Sequence, residues 1–232
     1  MLSKPRAALL FDIDGTLADT DPLHLEAFNR AFAPYGEQFD KARFARELQG
    51  LANVDIAAKV LPGLSQDEGM AVLDHKEALF RDLAATAIHA VPGLFALLDL
   101  ADAAGIAMAA VTNAPRANAE LILDGLGITH RFQALVIGAE LAHGKPHPLP
   151  YLEGLRLLGA DAAVSVAFED SRTGIASATA AGLATIGLRT SLDDTQLRAA
   201  GAISSAHGYD DPAVLDFIAI RLQTPDFAVV SA

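Results

Sequence analysis

Five short apolar runs constrain this chain more than any other feature: Ala7–Phe11, Ile106–Val111, Ala134–Ile137, Val164–Phe168 and Ala184–Leu188. None alternates apolar with polar residues, so each suits a strand buried on both faces of a parallel sheet. Among them lie amphipathic stretches at Leu94–Ala104, Asn118–Leu126, Pro148–Leu158 and Arg172–Ala181, closed by Gly105, Gly127, Gly159 and Gly182. Glycine just past a helical stretch is the expected stop signal. This alternation predicts an α/β fold: a doubly wound, Rossmann-like parallel sheet with right-handed crossovers.

One segment breaks the alternation. From about residue 18 to residue 90 no buried strand is evident. Asp21-Pro22 is expected to open a helix, with Asp21 as N-cap and the proline in the first turn. Leu25, Phe28, Phe32 and Tyr35 then share one helical face, and helical sequence continues through Val54–Leu61 and Asp67–Thr86. The expected division is an α/β core of residues 1–17 and 91–232, and a helical insert of residues 18–90 placed after the first strand. Linkers near residues 18–20 and 87–92 would be its hinges. The last ten residues, 223–232, show no clear element.

Composition narrows the function. Apolar residues at 52% and charged residues at 20% are those of a folded core. The absence of cysteine excludes disulfides, thiolate metal sites and a thiol nucleophile. A net charge of −12, no tryptophan and 6% aromatics argue against nucleic acid and anionic membrane as partners. No apolar run reaches transmembrane length. Lys4 and Arg6 precede only five apolar residues before Asp12, too few for a secretion signal, so the expected location is cytoplasmic. Oligomeric state is not fixed by the sequence, and a monomer is compatible with it.

Open α/β sheets bind ligands beyond the carboxyl ends of their strands. There the first run delivers Asp12, Asp14, Gly15 and Thr16, and the second Thr112 and Asn113. The third delivers Lys145 through a long loop, and the fourth Glu169, Asp170 and Ser171. Taken singly these are a turn, a helix cap, a surface lysine and an N-cap cluster. Taken together they bring four carboxylates to one sheet edge, where each pair at 4 Å would repel by about 4 kcal/mol at an effective dielectric of 20. Such a cluster is tolerable around a cation, and oxygen ligands without His or Cys favour Mg2+. Thr112, Asn113, Lys145 and the backbone amides of the Gly15-Thr16 turn then become phosphate donors. The reaction class is phosphoryl transfer to a carboxylate.

Phe11-Asp12-Ile13-Asp14-Gly15-Thr16-Leu17 resembles motif one of the haloacid dehalogenase superfamily. Val111-Thr112-Asn113 resembles motif two, Lys145-Pro146-His147-Pro148, with Tyr151 following, motif three, and Phe168-Glu169-Asp170-Ser171-Arg172-Thr173-Gly174 motif four. They occur in order, and the insert stands where that family carries a helical cap of the C1 type. The resemblance implies that Asp12 is the nucleophile that becomes an aspartyl-phosphate. It implies that Asp14 protonates the leaving oxygen and then deprotonates the attacking water. Thr112, Asn113 and Lys145 would hold the phosphoryl group. Asp170, with Glu169 on the ion or just behind it, would bind Mg2+ with Asp12 and the backbone carbonyl of Asp14. The second aspartate, Asp14, accompanies phosphate-ester rather than carbon–halogen chemistry in this superfamily.

The nearest branch holds β-phosphoglucomutase and the sugar-phosphate and phosphoglycolate phosphatases. His24 falls where the mutase has a hinge histidine, Leu48-Gln49-Gly50-Leu51 at its specificity segment, and Lys76 near its cap lysine. Both are substrate-side candidates on that resemblance. On the residues alone His24 also suits packing, and Lys76 suits a solvated helix face. Asn53 stands where the mutase carries an arginine for a second phosphate, and an amide cannot supply that charged fork. The expectation is a Mg2+-dependent phosphatase of a small phosphorylated metabolite, a sugar phosphate first among them. A phosphosugar mutase and a non-catalytic phosphometabolite-binding protein are the alternatives.

Overall fold

The structure is a computed structural model and describes residues 6–223. Its strands are β1 (Ala8–Phe11), β2 (Ala107–Thr112), β3 (Ala134–Ile137), β4 (Val166–Glu169), β5 (Ala184–Leu188) and β6 (Ser204–Ala206). All pair in parallel, in the order β3-β2-β1-β4-β5-β6. Phe11 at the end of β1 lies opposite Ala110 on one side and Phe168 on the other. Strand order reverses between β1 and β4, the switch point at which the loops of an open sheet part to leave a crevice.

The helices are α1 (Asp21–Phe32), α2 (Lys41–Glu47), α3 (Asn53–Val60), α4 (Gln66–Ala84), α5 (Leu94–Ala103), α6 (Arg116–Gly125), α7 (Leu149–Leu158), α8 (Arg172–Ala180), α9 (Asp194–Ala200) and α10 (Pro212–Leu222). Successive strand residues point to opposite faces. Leu9, Phe11, Met108, Val166 and Phe168 pack with α5, α6 and α10. Leu10, Ala109, Val111, Val136 and Ala167 pack with α7 and α8. Both faces are therefore covered, which is why the strands read as continuous apolar runs.

Two strand expectations need correction. β4 starts two residues later than its apolar run, because Ala162–Val164 forms a 3-10 turn capped by the Asp161 carboxylate. Glu169 is thereby the last strand residue rather than the first of a loop. β6 is short and reads Ser-Ser-Ala, so apolar patterning does not reveal it.

Helices α1 to α4 fill the stretch between β1 and α5 and share a core of their own, with Phe28, Phe32, Phe39, Phe44, Ile56 and Leu73 buried together. Thr20, not Asp21, holds the N-cap position of α1, and Asp21 is the first helical residue. Tyr35 lies beyond α1 in a 3-10 turn and is 46% exposed, so it does not extend the apolar face. α2 is an added helix whose N-cap Asp40 accepts from the Arg43 amide. Ala27 of α1 and Phe80 and Ala84 of α4 sit on the α/β core beside Ile13 and Leu17. The two linkers run side by side: Ala18 pairs antiparallel with Ala90, Asp19 N donates to His89 O, and Val91 N donates to Leu17 O. Among the described residues no helix is long and apolar enough to cross a membrane. Of residues 223–232, Gln223 ends α10 in a left-handed conformation, and the rest lie outside the described residues.

Candidate active site

Asp12 leaves β1 with its amide donating to Phe168 O at 3.0 Å, which extends the sheet by one bond and fixes the carboxylate at the switch point. The Lys145 ammonium sits beneath it, 3% exposed. It donates to Asp12 Oδ1 at 2.6 Å, to Glu169 Oε1 at 2.6 Å and to Val111 O at 2.8 Å. Those three acceptors come from the ends of three adjacent strands. Tyr151 Oη donates to the same Glu169 Oε1 at 2.7 Å. Sequence reading places Tyr151 beside the third motif but gives it no role. Its signal is a tyrosine on the buried face of α7, since a buried phenol requires a polar partner.

Two glycines let the carboxylates approach. Gly15 has φ +72°, and a Cβ there would overlap the Asp170 carboxylate. A Cβ at Gly174, in the first turn of α8, would overlap the Glu169 carboxylate. The Ser171 hydroxyl caps that turn by accepting from Gly174 N.

Asp12, Glu169 and Asp170 each offer a buried oxygen, all within 4.8 Å of one another. Burial first, then Glu169 and Asp14, push the Asp12 carboxyl up to about 8 against the opposing pull of Lys145. Burial, then Asp21, Asp12 and Glu169, push Asp170 well above the carboxylate range. Burial opposes the Lys145 charge, but Asp12 and Glu169 outweigh it and hold its pKa high. Three buried carboxylates thus face one ammonium, an excess of negative charge that a divalent cation would balance. The donors are all hard oxygens, so the residues fit Mg2+. The Asp14 side chain lies outside the cluster.

Asp14 faces the insert instead. Thr20 Oγ1 donates to its Oδ1 at 2.7 Å, and His24 Nε2 lies 2.9 Å from the same oxygen. Burial alone would raise this carboxyl, but the positive charge around His24, the bonds from His24 and Thr20, and Lys76 hold it below the ordinary range. His24 stacks on Phe80 at 3.8 Å, and its Nδ1 is 2.9 Å from Lys76 Nζ. It is both a packing and a polar residue. The solvated reading of Lys76 is overturned: it is 2% exposed, lies over the Phe28 ring and donates to both Glu77 oxygens at 3.1 Å. Its face of α4 is buried against α1, which the mixed sequence of α4 conceals. Glu77 is braced further by Asn53 and Asn118.

The remaining expected residues divide. Thr112 lines the pocket, and its hydroxyl accepts from Ala114 N. Asn113 also lines the pocket, but its amide donates to Gly50 O and Lys145 O and accepts from Lys145 N, so here it braces the Lys145 loop against the insert. The expected donors of the Gly15-Thr16 turn are engaged within the turn: Gly15 N with Ala18 O, and Thr16 N with Ile13 O. The Thr16 hydroxyl is fully buried without a partner, and its carbonyl accepts from Tyr209 Oη. Two residues join the site that sequence reading places only in a segment resembling the mutase's specificity segment, Gln49, and at a helix start, Asp21. Gln49 Nε2 bridges Asp21 Oδ2 at 3.0 Å and Asp170 Oδ2 at 2.7 Å, tying the insert to the acid cluster. Burial, then Asp14 and Asp19, push Asp21 up to about 7, and Ser191 Oγ donates to it.

Residues 9–188 match the family model of haloacid dehalogenase-like hydrolases. The chain is 36% identical over 186 residues to protein CbbY of Rhodobacter capsulatus, covering 76% of this chain and 82% of that one. It is 32% identical over 187 residues to the fructose-1-phosphate phosphatase YqaB of Escherichia coli K12, covering 79% of this chain and 96% of that one. A crystal structure of a CbbY variant from Rhodobacter sphaeroides, in complex with xylulose-(1,5)bisphosphate, superposes with a TM-score of 0.76 at 29% identity, over 89% of this chain and 96% of that one. By a family match across most of its length, around a sheet whose switch point gathers these acids and Lys145, the chain belongs to the haloacid dehalogenase-like hydrolases.

Proposed function

We propose that this protein is a Mg2+-dependent phosphatase acting on a small phosphorylated metabolite, in the class of sugar phosphates, through an aspartyl-phosphate on Asp12. The observation that carries the reading is the Asp12 carboxylate, held at 2.6 Å by Lys145 within a cluster of oxygen ligands and two residues from Asp14. Relatives named as phosphatases of phosphorylated sugars support it.

Asp12, Glu169 and Asp170 would hold the ion, with the Asp14 backbone carbonyl. Bound there, Mg2+ supplies the positive charge that lets an anionic nucleophile approach an anionic phosphate. Lys145 anchors Asp12 and Glu169 and adds its charge on the same side. Thr112 and Asn113 border the phosphoryl position. Asp12 Oδ attacks phosphorus as the ester oxygen leaves, and Asp14 gives that oxygen its proton. Asp14, now ionised, takes a proton from the water that cleaves the acyl phosphate. Its low pKa keeps it ionised, as the second step requires, so for the first step it carries a proton taken up as the anionic phosphate binds beside it, and Thr20 and His24 aim it in both.

In this reading residues 18–90 move as a cap over a core of residues 1–17 and 91–232, pivoting at the paired linkers. The conformation described is the closed one, because Gln49 and Gly50 of the insert touch Asp170 and Asn113. Closure excludes bulk water from the acyl phosphate.

The test is phosphate release from a panel of phosphorylated metabolites with Mg2+. Asp12→Asn should lower turnover by about 10^3-fold or more while circular dichroism stays native, and EDTA should abolish it reversibly. Unchanged turnover in Asp12→Asn would refute the nucleophile. Conversion of a sugar 1-phosphate to a 6-phosphate without net release would mark a mutase instead, and binding without turnover a non-catalytic protein.

A further inference from the structure

We infer that the pocket takes one phosphate and no second anion, so that the substrate is a monophosphate whose remainder is uncharged and rich in hydroxyls. This rests on the phosphatase reading above and narrows it.

The charges lining the pocket are unbalanced. Asp12, Asp14, Asp21, Glu77 and Asp170 face two ammonium groups, Lys145 and Lys76, and no arginine lines it among the described residues. Neither ammonium is free. Lys145 is held by Asp12 and Glu169, and Lys76 by both oxygens of Glu77. The ion and Lys145 answer the phosphate being transferred. Beyond that point the next charged groups a ligand meets are Glu77, which cancels Lys76, and Asp14. Asn53 adds no charge, and its amide also donates to Glu77.

The neighbouring arginine does not help. Pro115 lines the pocket, but the fork of Arg116 closes on Glu140 at 2.7 and 2.8 Å. The outer cleft between insert and core is no better for an anion: Asp55 and Asp74 stand on the insert side, opposite His143 and His147. Lys41, Arg46 and Arg172 line a separate surface groove. A second phosphate or a carboxylate would therefore enter an acidic, partly dehydrated space with no counter-charge.

What the pocket does offer is acceptors and apolar surface. Gln49 lines it with Oε1 buried and unpartnered, and such an atom demands a donor. Asn53 and Asp14 line the same space, and among the described residues Asn53 Oδ1 and Asp14 Oδ2 accept no hydrogen bond. Hydroxyl groups satisfy all three. Phe44, Leu51 and Ile56 supply a wall for the carbon skeleton.

The experiment compares matched pairs with Mg2+ at constant ionic strength: a hexose 6-phosphate against its 1,6-bisphosphate, and glycerol 3-phosphate against 3-phosphoglycerate, with an aryl phosphate as reference. The member of each pair whose remainder is uncharged should have kcat/KM at least about tenfold higher. Equal or better turnover of the members that carry a second anionic group overturns this inference and leaves the phosphatase reading standing. No release from any compound, the aryl phosphate included, overturns that reading itself. Glu77→Gln removes the charge that cancels Lys76, so the ratio should fall severalfold. If that variant does not fold, Asn53→Arg, which adds a positive charge at the same wall beside Glu77, should lower it likewise. An unchanged ratio in a folded variant overturns the role given to this wall.

Discussion

One hydroxyl illustrates how closely the acid cluster is built. Tyr151 holds Glu169 Oε1 at 2.7 Å, fully buried. Tyr151→Phe deletes that donor and little else, so it should cost about 1 to 2 kcal/mol and lower the thermal midpoint by about 3 to 6 °C for a chain of this size. Calorimetry would check it, and an unchanged midpoint would show that Lys145 and Ser171 fix the carboxylate without it. Legibility at this scale followed chemistry rather than burial. Asp12, Lys145, Glu169 and Asp170 could be read because each ends an apolar run or follows one. Lys76 could not be read from its own neighbours, since its burial depends on Phe28 of another helix. Asp21 read as a helix cap because an aspartate before proline ordinarily is one. The contact that takes it elsewhere comes from Gln49, 28 residues away.

At the scale of elements, the turn after α2 matters most. It carries Gln49, whose amide joins Asp21 to Asp170, and Gly50, whose carbonyl accepts from Asn113. Gln49→Ala removes one bond that crosses from the insert to the core, to Asp170, and one within the insert, to Asp21. Hydrogen exchange should then rise in α2 and in the linkers near residues 18–20 and 87–92, while the strands stay protected. Exchange confined to residue 49 would mean that closure does not depend on the Gln49 bridge. The same region marks the limit of sequence reading. Runs buried on both faces announced β1 to β5 because polar residues within them are few, Ser165 and Thr185, and do not alternate. α2 holds seven residues, four of them charged, and buries only Phe44, too little for a period to show. β6 is an edge strand whose first two residues are half-buried serines.

Across the whole molecule, the acids that make the site also weaken the metal-free fold. Asp12 is pushed up to about 8 and Asp21 to about 7, burial being the main cause in both, and Asp170 lies well above its ordinary value of 3.8. A carboxyl with a raised folded pKa lends stability below its unfolded value and loses it as pH rises through the folded one. The thermal midpoint of the EDTA-treated protein should therefore fall from about pH 4, where these carboxyls ionise in the unfolded chain, to about pH 8, where Asp12 ionises in the folded one. Mg2+ should raise the midpoint more at the upper end of that window, where the ligands are ionised. A flat profile without metal, or equal shifts by Mg2+ at both ends, would contradict this balance. Asp14 is held low and titrates outside the window.

The pairing of Ala18 with Ala90 carries a consequence for how such a chain can be cut. Two strands bonded antiparallel lie only about 5 Å apart, a gap that a two-residue Asn-Gly turn spans. The α/β part is thus topologically continuous without the 70 or so residues between. A hairpin-closed miniature should fold with its sheet intact and expose the active-site acids to water.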